Sequence, residues 1–365
     1  MENSQANSEI TNAVVGEQIR RGAFGEVFNG RLEDETPIEV VRISDDGVRN
    51  FLLENEIYEK LINSNARKYN IVHIFGIISI TAHLSIFMEQ CVDTLDRKME
   101  IDGKMEIDGI RMLTTQILNA IRAYSRQGIV HRDINPKNVI VVGNTYKVAN
   151  FECAQHINSK TKGADVPKSI YNAPEVFAGE MWNSSVDIWG LGVMIAQNFY
   201  EENFMELEED KIMGVIVGMI GLPKLKNIRG TKLETMFKTY PIALRREVSS
   251  IDSFKVKLEQ KENDRMEFSR HLTETRGINY KALGNFVAET MAWAHIGSNN
   301  TFLRLSPEEA INHVFMTLKH LDRTKDLEYI HKVEDQMKSI HLEKLETIEE
   351  GAVEDQVGQR SANRQ

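Results

Sequence analysis

The sequence is poor in cysteine: only Cys91 and Cys153 occur among its 365 residues. They form no CxxC motif, and no histidines cluster at metal-ligand spacing, so the sequence carries neither a disulfide scaffold nor a recognisable metal motif. Long apolar runs are also missing, because the run from Ile212 to Leu222 is about half of the ~20 residues that span a bilayer. The N-terminal residues lack the apolar core of a signal peptide. We therefore expect a protein of the cytosol or nucleus.

An excess of basic residues is absent as well. The formal net charge is -10 and the isoelectric point is about 5.6, which argues against nucleic acid or an anionic membrane as the main partner. Hydrophobic residues make up 41% and charged residues 27% of the chain, close to the averages of globular proteins. The length is sufficient for two lobes, or for one domain with an extension.

The most informative stretch covers residues 129–154 and reads IVHRDINPKNVIVVGNTYKVANFECA. A His-Arg-Asp triplet ends at Asp133, and Asn138 follows five residues later. An apolar run and a Gly-Asn turn then lead to a second apolar strand, which ends in Asn150-Phe151-Glu152. This order of features is much more specific than any one of them alone.

The stretch resembles the eukaryotic protein kinases, whose catalytic loop reads HRDxxxxN and whose metal loop reads DFG. In that family the loop Asp receives the proton of the substrate hydroxyl, the Asn binds one Mg²⁺, and the DFG Asp holds the metals that bridge the nucleotide phosphates. The resemblance assigns the first two roles to Asp133 and Asn138. The third position holds Asn150, whose amide is neutral, and Glu152 replaces the flexible Gly. The implied fold is α+β and bilobal, with a β-rich N-lobe and a helical C-lobe.

Residues 14–31 predict two strands joined by a glycine turn, which resembles the family's phosphate-covering hairpin. Its pattern is GxGxxGxV; Gly22, Gly25 and Val27 match the later positions, and Arg20 takes the place of the first Gly. A side chain there crowds a nucleotide. Either Arg20 or its neighbour Arg21 reaches a phosphate as a charge donor, or the two arginines are simply solvated.

Residues 37–43, PIEVVRI, resemble the family's VAVK strand, in which Ala faces adenine and Lys faces the phosphates. Two registers are open because alternate residues share a face. One puts Val41 at the Lys and Glu39 beside adenine. The other puts Arg42 at the Lys, and Arg is no conservative replacement for a compact ammonium.

Further resemblances complete the predicted nucleotide site. The apolar periodicity of residues 50–62 predicts a helix whose Glu54, or alternatively Glu56, corresponds to the family's ion-pair Glu. Residues 69–76 and 84–91 predict strands. Met88 then falls at the gatekeeper, and Glu89 to Cys91 at the hinge, where the family's backbone meets adenine.

The C-lobe signature is also present. Residues 171–175, YNAPE, match the family's YxAPE, and Arg304 matches the Arg that pairs with the Glu of that motif, here Glu175. Asp187 and Trp189 match the start of a buried helix. Lys168 stands where Ser/Thr kinases place a Thr. Residues 210–223 resemble the cyclin-dependent and mitogen-activated kinase group.

We predict a kinase-like domain over residues 14–320, with an N-lobe over about 14–90 and a C-lobe over about 91–320. Residues 1–13 and 351–365 are expected to be disordered, and residues 321–350 to form a charged helix. The tandem hexapeptide KMEIDG at 98–109 has too few copies for a solenoid. We interpret it as an insertion in the loop before a long helix over 110–127.

The residues that hold the C-lobe together are retained, whereas the charges that handle phosphate and metal are altered. Besides Asn150 and the missing strand Lys, the Lys of the family's HRDxKPxN motif is Asn135. Phosphoryl transfer depends on charge neutralisation, so we expect a pseudokinase that binds or regulates a protein partner, such as an active kinase or its substrate. ATP would bind weakly and Mg²⁺ doubtfully. The alternatives are an atypical Ser/Thr kinase with residual phosphotransfer, and a metal-independent nucleotide sensor.

Overall fold

The computed structural model describes residues 10–21, 25–43, 56–62, 66–80, 83–157, 168–179, 182–200, 203–220, 232, 281–292 and 304–317. The chain divides into two compact units. The first consists of residues 1–105 and 112–159, and the second of residues 106–111 and 160–365. This division differs from the predicted lobes, because the catalytic loop groups with the first unit.

A five-stranded antiparallel sheet opens the first unit, and across it the first three strands of the chain are followed by the fifth and then the fourth. The predicted hairpin over residues 14–31 is confirmed as a pair of antiparallel strands. The predicted strand at 69–76 begins later, because residues 66–69 form a 3-10 helix, and the next strand ends at Glu89 rather than at residue 91. The strands are β1 (Val14–Arg21), β2 (Gly25–Arg31), β3 (Pro37–Ile43), β4 (Ile74–Ile80) and β5 (His83–Glu89).

The alternation of side chains along β3 places Ile38 and Val40 in the core of this sheet, where neither is exposed. They pack with Leu32, Phe75, Phe87 and Ile10. Ile10 falls in the segment predicted to be disordered, and that prediction is wrong for it, because burying an isoleucine against the sheet offsets the cost of ordering the chain.

Two helices and two small two-stranded sheets follow in the chain, and of these only the first residues of the second helix belong to the second unit. Both copies of the hexapeptide contribute helical residues, so the prediction of an inserted loop is wrong. Thr94 caps the first helix through its side-chain oxygen, and the second helix starts three residues before the predicted residue 110. The elements are α1 (Leu95–Asp102), α2 (Ile107–Ser125), β6 (Ile129–Val130), β7 (Val139–Val142), β8 (Thr145–Val148) and β9 (Gln155–His156).

The second unit is helical in its described residues. Its helices are α3 (Pro174–Phe177), α4 (Ser185–Gln197), α5 (Glu209–Ile220), α6 (Lys281–Thr290), α7 (Pro307–Ile311) and α8 (Val314–Thr317). Every residue of α4 up to Ala196 is buried, including Asp187 and Trp189. The indole of Trp189 donates a hydrogen bond to the carbonyl of Ile170 at 3.0 Å.

The predicted pair of Arg304 and Glu175 is confirmed inside this unit. Two guanidinium nitrogens of Arg304 donate to the two oxygens of Glu175, at 2.5 and 3.1 Å, and neither side chain is exposed. A third nitrogen donates to the carbonyl of Ala292. Buried charges need such complete pairing, which explains why the two residues occur together.

Several predictions lie outside the described residues: Gly22, Glu54, the helix over 321–350 and the tail over 351–365. Of the helix predicted over 50–62, the structure describes residues 56–62, which are helical. Among the residues that the structure does describe, no helix combines the length and apolarity needed to cross a membrane.

Candidate functional site

One face of the sheet carries the residues predicted to meet a nucleotide. Glu39 pairs with Met88 across β3 and β5, and Val41 pairs with Ile86 on one side and Val27 on the other. Residues directly opposite each other in antiparallel strands point to the same face. Glu39, Val41 and Met88 therefore share a face, opposite to the core formed by Ile38 and Val40.

This pairing distinguishes the two registers that the sequence left open. Val41 lies on the face that carries Glu39 and Met88, and it contributes no charge there. Arg42 points to the other face, where its guanidinium stacks over the Phe28 ring at 4.3 Å. Strand alternation turns the Arg42 side chain toward Phe28 and away from the face of Glu39 and Met88, which favours the reading in which Val41 takes the place of the Lys.

A salt bridge occupies the position predicted to lie beside adenine. Glu39 is 1% exposed and accepts hydrogen bonds from Nη1 and Nη2 of Arg20, at 3.0 and 2.6 Å. Half of the Arg20 side chain is exposed. Burial lowers the pKa of Arg20, but the hydrogen bonds and charge of Glu39 outweigh this effect and leave the pKa raised. The two strands that should frame a nucleotide are thus bridged by their own side chains.

Glu39 also accepts a hydrogen bond from the backbone of the predicted hinge. The backbone N–H of Cys91 donates to Oε1 of Glu39 at 3.3 Å, and the backbone N–H of Glu89 donates to the carbonyl of His73 at 2.9 Å. Burial, reinforced by the charge of Glu39, raises the pKa of the Cys91 thiol to about 11. Two backbone donors of the hinge segment therefore already have protein acceptors.

Lys147 joins this region, although the sequence reasoning missed it. Its Nζ lies 2.5 Å from Oε2 of Glu89, and both side chains are largely buried. The only signal in the sequence is a lysine that alternates with the apolar residues Tyr146 and Val148 in β8. Because Glu89 and Lys147 are 58 residues apart, their pairing follows from tertiary structure alone.

The catalytic loop gathers the predicted residues Asp133 and Asn138. The amide of Asn138 donates to Oδ2 of Asp133 at 2.7 Å, and the amide of Asn135 donates to Oδ1 at 2.9 Å. Asn135 also caps the 3-10 helix Pro136–Asn138 by accepting from the backbone N–H of Lys137. The residue that replaces the family's phosphate-contacting Lys thus fixes the orientation of the loop carboxylate.

Asn150 closes the same network from the other strand. Its amide donates to Oδ1 of Asn138 at 3.0 Å, and its backbone is left-handed, with φ 62° and ψ 74°. Asn tolerates this conformation better than most residues. The oxygen of Asn138 that the resemblance assigns to Mg²⁺ therefore accepts a hydrogen bond from the residue that replaces the metal-binding Asp.

Glu152 adds a carboxyl group that the family lacks. Burial, with a contribution from the charge of Asp133, raises its pKa from 4.5 to about 7, while Arg20 and a hydrogen bond from Asn150 act in the opposite direction. Its electrostatic interactions with Asp133 and Arg20 place Glu152 in the same charged cluster. At a pH near 7 this carboxyl group is therefore partly protonated and partly charged.

The apolar support of the loop is retained. Phe151 is fully buried, and its ring lies edge-on to those of His131, Tyr124 and Tyr58, with centroids 4.7, 5.7 and 6.5 Å apart. Nε2 of His131 donates to the carbonyl of Ala149 at 2.9 Å. The substituted polar residues of the loop therefore lie next to a well-packed aromatic cluster around Phe151.

The described residues fit neither ATP nor Mg²⁺ in the way that the resemblance implies. The N–H of Cys91 and the adenine-facing position are occupied by the Glu39 and Arg20 pair. At the metal position two neutral amides bind each other, and hard cations such as Mg²⁺ are bound through carboxylates. No group of three or more His, Cys, Asp or Glu suited to a metal occurs within the described ranges.

Comparison with known proteins identifies the same family as the loop motifs. The family model described as "Protein kinase domain" matches residues 13–275. Relatives include homeodomain-interacting protein kinase 1 of Caenorhabditis elegans, 25% identical over 193 residues, and serine/threonine-protein kinase unc-51 of the same organism, 28% identical over 200 residues. The serine/threonine-protein kinase prpf4B of Dictyostelium discoideum is 26% identical over 192 residues.

These alignments cover 49 to 50% of this chain but only 23 to 24% of each of the three relatives, so the chain spans about a quarter of their length. The family match is broader, because it covers more than half of the chain. The catalytic-loop residues, the antiparallel sheet of the first unit and the helices of the second agree with it. The chain belongs to the protein kinase family, and its fold is the bilobal α+β fold of that family.

Proposed function

We propose that the chain is a catalytically impaired protein kinase homologue, a pseudokinase, that acts as a binding or regulatory module. The observation that carries this proposal is the hydrogen-bonded pair of Arg20 and Glu39 in front of Cys91. It puts a charged protein pair where adenine is bound in the family. ATP therefore binds weakly, and Mg²⁺ lacks its carboxylate ligand.

The loss of preorganised charges supports impairment of catalysis rather than a modest loss of efficiency. Phosphoryl transfer is accelerated mostly by preorganised charges, and the removal of one such contact costs about 3 kcal/mol. Val41, Asn135 and Asn150 each replace a charged residue of the family with a neutral one. Even partly additive losses slow transfer by several powers of ten.

A second candidate is an atypical Ser/Thr kinase with residual phosphotransfer. It is favoured by the Asp133 carboxylate, which the amides of Asn135 and Asn138 hold in place on the catalytic loop. In this candidate Asp133 would still receive the proton of a substrate hydroxyl. The third candidate, a nucleotide sensor that needs no metal, requires the Arg20 side chain to move away from Glu39.

Two measurements on the purified chain separate these functions. The first is its melting temperature with ATP, with and without Mg²⁺, because a ligand that binds the native state raises it. We expect no rise in either condition. A rise that is independent of Mg²⁺ would identify the sensor and contradict the occluded site.

The second measurement is transfer of labelled phosphate to a generic protein substrate. We expect none above background. Transfer that disappears in the Asp133→Asn variant would establish the atypical kinase and overturn the pseudokinase proposal. Transfer that persists in this variant would be assigned to a contaminating kinase.

The partner follows from the proposed role. A kinase fold without transfer acts by binding, and we propose a protein partner, such as an active kinase or its substrate, in the cytosol or nucleus. The acidic balance of the chain, with a net charge of -10, favours a partner surface with basic residues.

A further inference from the structure

The Glu39 carboxylate requires a cation. Only 1% of the residue is exposed, and it accepts hydrogen bonds from Nη1 and Nη2 of Arg20 and from the backbone N–H of Cys91. Moving a carboxylate out of water is costly unless it is paired and hydrogen-bonded. A neutral donor in place of Arg20 would leave the charge uncompensated.

The geometry also specifies the shape of this cation. Two nitrogens of one guanidinium donate to the two oxygens of one carboxylate, at 3.0 and 2.6 Å. A planar fork of N–H donors makes this pair of bonds, whereas a compact ammonium acts as a point charge and matches only part of it. The position therefore discriminates by shape as well as by charge.

Arg20 occupies the position without being enclosed in it. Half of its side chain is exposed, and it belongs to β1, one of the two edge strands of the sheet. The register between β1 and β2 is irregular between Gln18 and Arg20. A guanidinium that is half in water regains its hydration easily, so another cation that pairs with Glu39 can replace it.

We propose that the Glu39 carboxylate, held in place by the Cys91 N–H, forms a subsite selective for planar guanidinium or amidinium cations, with Arg20 as its built-in occupant. The ligand is either a small molecule with this group or an arginine side chain of a peptide. The inference rests on the proposed function, since it uses the same position from which adenine is displaced. In the intact chain Arg20 competes at a high effective concentration, so ligands bind more weakly than they do without it.

The central experiment replaces the occupant by a soluble equivalent. Arg20→Ala removes the side chain beyond Cβ, and ethylguanidinium contains the atoms that are removed. We expect the variant to melt at a lower temperature, and low-millimolar ethylguanidinium to restore much of the loss. Ethylammonium at the same concentration should restore little. The concentration for half of the effect should be at least about tenfold lower for the variant than for the unaltered chain.

Two control variants separate the subsite from general effects of the salt. Arg20→Ala with Glu39→Gln keeps the space but removes the anion, and should show no rescue. Arg31→Ala breaks the pair of Arg31 and Glu35, which has a similar bond of 2.9 Å but side chains that are 68% and 76% exposed. Equal rescue of Arg31→Ala would overturn the proposal. If Arg20→Ala fails to fold, recovery of the folded protein on refolding with ethylguanidinium is the readout, and failure to recover counts against the subsite.

The source of the group is distinguished by two peptides. If Gly-Arg-Gly saturates the Arg20→Ala variant at a lower concentration than ethylguanidinium does, the ligand is an arginine of a peptide. If ethylguanidinium saturates it at the lower concentration, the ligand is a small molecule. Gly-Lys-Gly should have no effect. ATP that stabilises Arg20→Ala more than ethylguanidinium does would overturn the subsite. The proposed function is tested by a separate measurement: it fails if ATP raises the melting temperature of the unaltered chain.

Discussion

Two arginine–glutamate pairs in this protein have the same chemistry and different surroundings. Arg304 and Glu175 in the second unit are both completely buried. Arg20 and Glu39 in the first unit combine a half-exposed arginine with a buried glutamate. Both pairs use two guanidinium nitrogens and two carboxylate oxygens.

The difference lies in how the arginine is held. Arg304 donates in addition to the carbonyls of Ala292 and Ser185, and it stacks over Trp189 at 5.0 Å. Arg20 reaches Glu39 from an edge strand and remains half in water. The first arrangement is typical of a permanent structural link, and the second of an occupant that other cations can replace.

The largest effect is expected in the enclosed pair. Arg304→Met leaves Glu175 buried without a counterion, and we expect the free energy of unfolding to fall by about 3 to 5 kcal/mol, measured by urea denaturation at neutral pH. Replacing both residues, by Arg304→Met with Glu175→Leu, should recover most of this loss. Lys211→Met, which breaks an exposed pair with Glu208, should change stability by less than about 0.5 kcal/mol. A loss as small in Arg304→Met would contradict the structural role.

A second test concerns a buried base in the same unit. Burial lowers the pKa of His313 to about 3, and its Nδ1 accepts the backbone N–H of Phe315. The folded state thus favours neutral imidazole. The stability gained by keeping this imidazole neutral is fully present well above the unfolded pKa, near 6.5, and is lost as the pH falls toward the folded pKa of about 3. Between pH 7 and pH 5 we expect a loss of about 2 kcal/mol, because the slope approaches 1.36 kcal/mol per pH unit below the unfolded pKa.

His313→Asn is the control for this pH dependence, because its amide oxygen keeps an acceptor near the place of Nδ1 but does not titrate. Urea denaturation of both proteins at pH 5 and pH 7 gives the difference between the two slopes. The prediction fails if the variant and the unaltered chain lose stability in parallel.

The half-exposed pair should respond asymmetrically. Arg20→Ala leaves the buried Glu39 without a cation and should cost about 1 to 3 kcal/mol. Glu39→Ala leaves Arg20 in contact with water and should cost less than about 1 kcal/mol. Unfolding in urea measures both values. The reverse order would show that Arg20, not Glu39, is the enclosed partner.

The smallest effect is the return of nucleotide binding. Arg20→Gly with Glu39→Ala restores two residues of the family pattern and frees the N–H of Cys91. If ATP then binds, a tenfold excess over its dissociation constant stabilises the protein by about 1.4 kcal/mol, seen as a higher melting temperature without Mg²⁺. Each single variant should respond less, because one side chain still fills the position. An unchanged response of the double variant would mean that other residues exclude the nucleotide.

The sequence predicted those features whose residues are close together or form a family pattern. Asp133 and Asn138 lie five residues apart on one short loop, and the structure joins them by a hydrogen bond. The pair of Glu175 and Arg304 spans 129 residues and was predicted only because both residues match family positions. The hairpin over residues 14–31 followed from its glycine turn and flanking apolar residues.

What the sequence left open depended on strand register and on long-range contacts. The choice between Val41 and Arg42 as the lysine position required the pairing of β3 with β5. The pairs of Arg20 with Glu39, Lys147 with Glu89, and Asn150 with Asn138 bring together residues on different strands and loops. No local pattern encodes these pairs, because side chains of many kinds are tolerated on a strand face.

The repeated hexapeptide shows the difference between local sequence pattern and tertiary packing most clearly, because two identical segments have different secondary structure. Its first copy, residues 98–103, ends helix α1, and its glycine has a φ of 76°. In the second copy, residues 104–109, the first three residues precede helix α2 and the last three begin it. The kinase family, through the ordered catalytic loop, and the duplication of one hexapeptide were both readable in the sequence alone. The bounds of the two helices depend on tertiary packing. The buried Leu95, just before the first copy, holds helix α1 in place, and the buried Ile110, just after the second copy, holds helix α2 in place.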